Sequence, residues 1–146
     1  MDAERLLAEE DAGWREMRAL FDQVPRERFE EPSVTPEGWS AKDVMFHVAA
    51  WLDEASEALD RERSGVPDLE PGDTDAKNVA FLETSRAMGA EEVRSRLVLW
   101  RGRMLERWAA LETVTPNAWE WFDESGPRHY AEHVKDLRAW IGQGGP

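Results

Sequence analysis

The chain has no cysteine. That excludes a disulfide framework, a thiolate metal ligand and a thiol nucleophile of the protein's own. Any thiol chemistry must use a thiol that arrives as a small molecule. Positive charge is also scarce. Against 31 aspartates and glutamates stand 18 lysines and arginines, a formal net charge of −13. No cluster of basic residues offers a local footprint for a polyanion, so neither nucleic acid nor an anionic membrane is an expected partner. Long apolar runs are missing too. The longest nearly uncharged stretch, Val44 to Leu52, is far too short to span a bilayer and contains His47. The opening residues Met1-Asp2-Ala3-Glu4-Arg5 lack a signal-peptide layout, so a cytoplasmic location is expected.

What is present suits a small helical protein. At 146 residues with a 41% hydrophobic fraction, the chain is expected to fold as a single domain over residues 1–146. It carries eight tryptophans. Each is a large apolar surface that must find a partner, in a packed core or an aromatic pocket.

Apolar periodicity marks the helices. The first is expected from an Asp2 cap to Gln23, with Leu7, Trp14, Met17, Phe21 and Val24 as its seam, broken by Glu10. Prolines at 25, 32 and 36 make the next stretch a loop with one helical turn at Glu27–Phe29. Ser40 then caps a second helix, and Asp43, three residues on, comes close to completing a capping box. Val44, His47, Val48, Trp51, Leu52, Ala55 and Leu59 share one face of it. Residues 64–73 read as the longest crossover-like connection. A third helical region begins near Asp75 and breaks at Gly89. It resumes with a stripe of Val93, Leu97, Trp100, Met104, Trp108 and Leu111. Thr113 to Gly126 is expected to be a loop, and Pro127 opens a last helix ending before a frayed Gly142–Pro146 tail. No strand pattern stands out. The expected class is all-α, a four-helix bundle with one long crossover.

The chain's three histidines are His47, His129 and His133. His129 and His133 are four apart on an expected helix, so both rings leave one face about 6 Å apart at Cβ. His47 sits in the apolar face of the second helix, where an unpaired imidazole is costly. If the second and last helices are neighbours, all three converge on one divalent transition metal such as zinc, nickel or iron, with positions left for water or substrate. The competing reading makes each a hydrogen-bonded core residue.

Gly38-Trp39-Ser40-Ala41-Lys42-Asp43-Val44-Met45-Phe46-His47-Val48-Ala49-Ala50-Trp51 resembles the opening of helix two in the DinB-like superfamily. That group includes YfiT-like proteins, the N-terminal domain of mycothiol-dependent maleylpyruvate isomerase, and ClbS/DfsB-like proteins. His129-Tyr130-Ala131-Glu132-His133 with Asp136-Leu137-Arg138-Ala139-Trp140 resembles the last-helix signature, and Asp75-Ala76-Lys77-Asn78 with Glu91-Glu92-Val93 the third-helix opening. The resemblance implies an up-down-down-up bundle, often a homodimer, with His47, His129 and His133 holding a divalent metal. It further implies activation of a small thiol such as mycothiol or bacillithiol, for S-transfer to or isomerisation of an electrophilic small molecule. The ClbS-like branch implies an alternative without thiol chemistry: hydrolysis or sequestration of a toxic small molecule.

Other groups are candidates beside the histidines. Asp43 and Glu54, four before and seven after His47, could orient a ligand or act as a base, or else cap and solvate the helix. Trp51 follows His47 by one turn. Tyr130 could donate a proton to a developing anion, or pack in the core with its hydroxyl at the rim. Trp119 and Trp121 could wall a substrate pocket or seal the bundle end.

Overall fold

The computed structural model describes residues 2–66 and 72–143. Six α-helices account for most of them: α1 (Ala3–Asp22), α2 (Ala41–Arg63), α3 (Thr74–Ala87), α4 (Ala90–Ala109), α5 (Pro116–Ser125) and α6 (Pro127–Gln143). A single 3₁₀ turn at Arg26–Arg28 follows α1.

The helix starts are set by local chemistry. Asp2 accepts the amide of Arg5 at 3.0 Å, which caps α1. At α2 the capping box is complete: Ser40 Oγ accepts the Asp43 amide at 3.1 Å, and Asp43 Oδ2 accepts the Ser40 amide at 2.9 Å. Asp73, two residues before the expected start near Asp75, caps α3 by accepting the amide of Ala76. Gly89, the expected break, is the cap residue immediately before α4.

Side-chain pairs give the helix directions. On α1 and α6, Glu10 meets Tyr130 and Glu16 meets Arg138, so the two helices run parallel. On α2 and α4, Phe46 meets Trp100 and Glu57 meets Arg107, again parallel. Between α1 and α4, Glu10 pairs with Arg101 and Asp22 with Arg94, so these run antiparallel. The four long helices α1, α2, α4 and α6 form an up-down-down-up bundle. Helix α3 is the return path. It runs antiparallel to α2, with Trp51 on Asn78 and Asp43 on Ser85. The expected 64–73 connection falls partly outside the described residues, as does residues 144–146 of the expected tail; Gly142 and Gln143 belong to α6.

Two expectations need correction. The stretch 113–126 is not a loop throughout, because Thr115 caps Ala118 at 3.0 Å and Pro116 takes the first helical position of α5. Ala118, Phe122 and Ser125 then bury one face of that short helix. The seam of α1 is also one residue off. Leu6, Glu10, Trp14, Met17 and Phe21 are buried, whereas Leu7 is 38% exposed. Glu10, which read as a break in the stripe, is 1% exposed and belongs to it.

Glu10 is buried with its partners. Arg101 of α4 donates to both of its oxygens, at 2.9 and 2.7 Å, and the Tyr130 hydroxyl of α6 donates at 2.9 Å. Burial, then the Glu10 charge, holds the Tyr130 hydroxyl well above its ordinary pKa, so it remains a donor. Gly13 lets the Tyr130 ring pack closely; a Cβ there would sit 3.3 Å from it. Losing one member of such a buried pair strands the other. Arg101→Met is therefore expected to lower the unfolding free energy by about 3–5 kcal/mol, and Tyr130→Phe by about 1–3 kcal/mol. In urea titrations, Glu10→Met with Arg101→Met is expected to cost less than Arg101→Met alone. An Arg101→Met cost below about 1 kcal/mol would contradict this account.

Candidate functional site

The three histidines meet where α6 crosses α2. On α6, the four-residue spacing places His129 and His133 over one another, with Nε2 atoms 3.0 Å apart. His47 closes the triangle from α2, its ring centroid 4.8 Å from that of His129 and 5.1 Å from that of His133. One ligand-capable atom from each ring lies within 4.8 Å of the others. Trp39, just before the α2 cap, covers His47 at 4.9 Å between centroids. The α5–α6 corner sets where α6 begins. A Cβ at Gly126 would lie 2.9 Å from the Phe122 carbonyl oxygen, so the corner needs glycine.

The cluster is neutral and poorly satisfied. All three rings are 6–9% exposed, and their Nδ1 atoms are buried without a hydrogen-bond partner. Asp136 Oδ2 lies 3.8 Å from His133 Nδ1, beyond hydrogen-bond distance. Burial, reinforced by His133, pushes the His47 pKa down to about 3. His129 is driven well below the ordinary value by burial and by both other histidines, with only the nearby Ser125 backbone opposing. Burial lowers His133 in spite of Glu132 and Asp136.

These rings fit a divalent transition metal. Neutral imidazole is the ligating form, and the Nε2 atoms of His129 and His133 converge on one another. Two nitrogens 3.0 Å apart suit ligands of one ion at metal–nitrogen distances of about 2.0–2.1 Å.

A cavity of about 680 Å³ opens beside the cluster, lined by His47 and His129 together with Trp51 and Trp121. The indole Nε1 of Trp51 donates to Asn78 Oδ1 at 2.8 Å, which fixes that wall. Glu120, Glu124 and Glu132 also line it.

Other candidates from the sequence lie elsewhere. Asp43 has both oxygens engaged, one by the Ser40 amide and one by the Ser85 hydroxyl at 2.8 Å, so it caps α2 and ties it to α3. Glu54 pairs with Lys77 at 3.1 Å and does not line the cavity. Trp119 packs on Trp108, 6.2 Å between centroids, and does not line the cavity. Tyr130 points toward α1, about a quarter turn around α6 from the histidines, with its hydroxyl on Glu10 and not at a rim. Sequence reasoning did not single out Trp39 or the rim glutamates. Trp39 was legible as part of the Gly-Trp-Ser opening and Glu132 as part of the last-helix motif; Glu120 and Glu124 were hidden inside an expected loop.

Fold and site together define a helical bundle with a three-histidine cluster at the end of a small-molecule-sized cavity. The family model of the mycothiol maleylpyruvate isomerase N-terminal domain matches residues 11–140, and the chain belongs to that family. The DinB-like bundle expected from the helix-two motif is thereby borne out. The chain is also similar to the crystal structure of TT2238, a four-helix bundle protein, at 21% identity and a TM-score of 0.68, covering 94% of this chain and 99% of that one. At that identity the likeness concerns the fold. No curated protein matches the chain.

The depressed histidine pKa values make a pH prediction. The unfolded chain, with histidines near 6.5, binds protons more readily than the folded one. Their stabilising contribution is complete above that value and is lost as pH falls below it, for His47 down to about 3. In metal-free protein, the urea midpoint is expected to drop between about pH 7 and pH 5, and His47→Gln is expected to flatten the drop. The same slope in the variant would contradict this origin.

Proposed function

We propose that this chain is a divalent-metal-dependent enzyme that activates a small thiol, for S-transfer to or isomerisation of an electrophilic small molecule. The observation that carries the reading is the meeting of three buried, neutral imidazoles, one ligand-capable atom from each within 4.8 Å of the others, beside a cavity. Membership in a family described by mycothiol supports the choice of thiol. His47, His129 and His133 would hold zinc, nickel or iron, metals that imidazole suits. A bound metal would supply the acidity that keeps a coordinated thiol ionised at neutral pH.

The chain's own residues have separate tasks. The imidazoles stay neutral because they are buried, so they bind without first losing a proton. Trp51 and Trp121 present apolar faces along the cavity and limit water around the reacting groups. Trp39 covers His47 and holds its ring in place. Tyr130 and Asp43, both fully engaged elsewhere, take no part in proton transfer. A cytoplasmic homodimer acting on small molecules belongs to the same proposal. No helix among the described residues is long and apolar enough to cross a membrane.

Elemental mass spectrometry on untagged, metal-reconstituted protein tests the ligand set. About one metal per chain is expected, lost in His129→Ala and in His133→Ala. Asp43→Asn is expected to retain the metal while losing about 1 kcal/mol of stability as a weakened cap. Turnover of 1-chloro-2,4-dinitrobenzene with and without mycothiol then tests the chemistry. A full metal complement with no thiol-dependent rate would replace the thiol reading with hydrolysis or sequestration of a small molecule.

A further inference from the structure

Helix α3 contributes Thr74 and Asn78 to the cavity lining, and its two ends are held to α2 in different ways. Of its fourteen residues only Ser85, near the C-terminal end, is buried. The Ser85 hydroxyl donates to Asp43 Oδ1 at 2.8 Å, and Asp43 is itself locked in the α2 capping box. Three residues further on, the Met88 carbonyl accepts from Lys42 Nζ at 2.8 Å, and that lysine is 3% exposed. Two buried side chains from the first turn of α2 therefore clamp the junction between α3 and α4. Such contacts resist opening, because breaking one strands a buried charge or donor.

The N-terminal half is tied more lightly. No residue of α3 before Ser85 is buried, and Thr74, Asp75, Ala76, Val79 and Ala80 are exposed. Two part-buried contacts hold this half to α2. The Trp51 indole Nε1 donates to Asn78 Oδ1 at 2.8 Å, and Lys77 Nζ donates to Glu54 at 3.1 Å. The second is a partly solvated ion pair, with side chains 33% and 28% exposed, and pairs of that kind hold weakly. Between the two ends, the Phe81 ring meets Trp51 edge-on at 5.6 Å. The Trp51–Asn78 bond is thus the main polar tie of the free end, and both of its partners line the cavity. Trp51 also lies one helical turn beyond His47. A segment with so little burial opens at a lower free energy than the core around it.

We propose that α3 is a hinged wall of the cavity, anchored at Ser85 and latched by Asn78 to Trp51. Release of the latch swings its N-terminal half away from α2 and widens the way to His47 and His129. The hinge is the extended pair Met88 and Gly89, with ψ of 142° and 154°, which interrupts the helical path just past the anchor. A Cβ at Gly89 would meet nothing within 4 Å, so the corner has room to turn. Because one hydrogen bond holds both the wall and the Trp51 ring, opening the wall and freeing the ring beside His47 are a single event. Motions of this kind gate entry and release of small molecules. This one needs neither a metal nor a thiol, so it stands apart from the enzymatic reading.

A chain without cysteine accepts spin labels in chosen pairs. Double electron–electron resonance on the full chain compares Ala76→Cys/Ala131→Cys, across the free end of α3, with Ala87→Cys/Ala131→Cys, across the anchored end. All three positions are exposed. Asn78→Leu removes the acceptor of the latch, Trp51→Phe removes the donor, and Asn78→Asp keeps the bond. In Asn78→Leu and in Trp51→Phe, the 76–131 pair is expected to show a second distance population, raised about fivefold over the wild type, as loss of one net hydrogen bond implies. The 87–131 pair should stay as it is, and Asn78→Asp should follow the wild type in both. Diethyl pyrocarbonate labelling of metal-free protein, mapped by peptide mass spectrometry, reads access to the neutral imidazoles. His47 and His129 are expected to react about fivefold faster in Asn78→Leu. A 76–131 distribution indifferent to both latch variants, a shift of both pairs together, or labelling rates unchanged by Asn78→Leu would overturn the hinge.

Discussion

Helix α6 has to satisfy two neighbours at once, and the link from Tyr130 to Glu10 and Arg101 decides how it does so. Successive residues of a helix point about 100° apart, so fixing Tyr130 toward α1 turns His129 and His133 toward α2. The Tyr130 hydroxyl reaches a carboxylate that is itself held by two hydrogen bonds from Arg101. Three of the four long helices are joined through that one buried group. A buried charge tolerates little displacement, because every shift loosens bonds that compensate its desolvation. The rotation of α6 is thus set by polar geometry, where an apolar stripe alone would permit slippage. The Gly126 corner fixes where the helix starts, and the histidines then fall opposite His47.

The cost of that placement is visible at the histidines. Three imidazoles share a buried space with few protein partners, which is unfavourable for stability and suited to holding something else. Burial keeps them neutral, and the cavity gives access to two of them. The family match over residues 11–140 and the histidine cluster are separate observations, and the proposed function draws on both. Glu120 and Glu124 of α5 and Glu132 of α6 line the same cavity.

Much of this was legible before any coordinates. The capping pair Ser40 and Asp43 announced α2, and the histidine spacing on α6 placed two rings on one face because a helical repeat leaves no alternative. The failures have physical causes. Glu10 broke the apolar stripe of α1 only because its partners, Arg101 and Tyr130, lie 91 and 120 residues away. Reading past it shifted the seam from Leu6 to Leu7. Helix α5 was hidden because its ten residues are too few for periodicity to show, although Thr115 and Pro116 marked its start. That error removed Glu120 and Glu124 from view, and it left Trp119 and Trp121 indistinguishable. On a helix, neighbouring even-spaced positions diverge: Trp121 lines the cavity while Trp119 packs on Trp108.

The central claim is that His47, His129 and His133 converge on a single metal ion. X-ray absorption spectroscopy on the zinc-loaded protein tests it most directly, because it counts and identifies the ligand atoms without requiring a substrate. The account predicts a first shell containing three nitrogen scatterers at about 2.0–2.1 Å, with the multiple-scattering pattern of imidazole. An oxygen-only shell, or one with fewer than three imidazoles, would contradict it and return the histidines to the core.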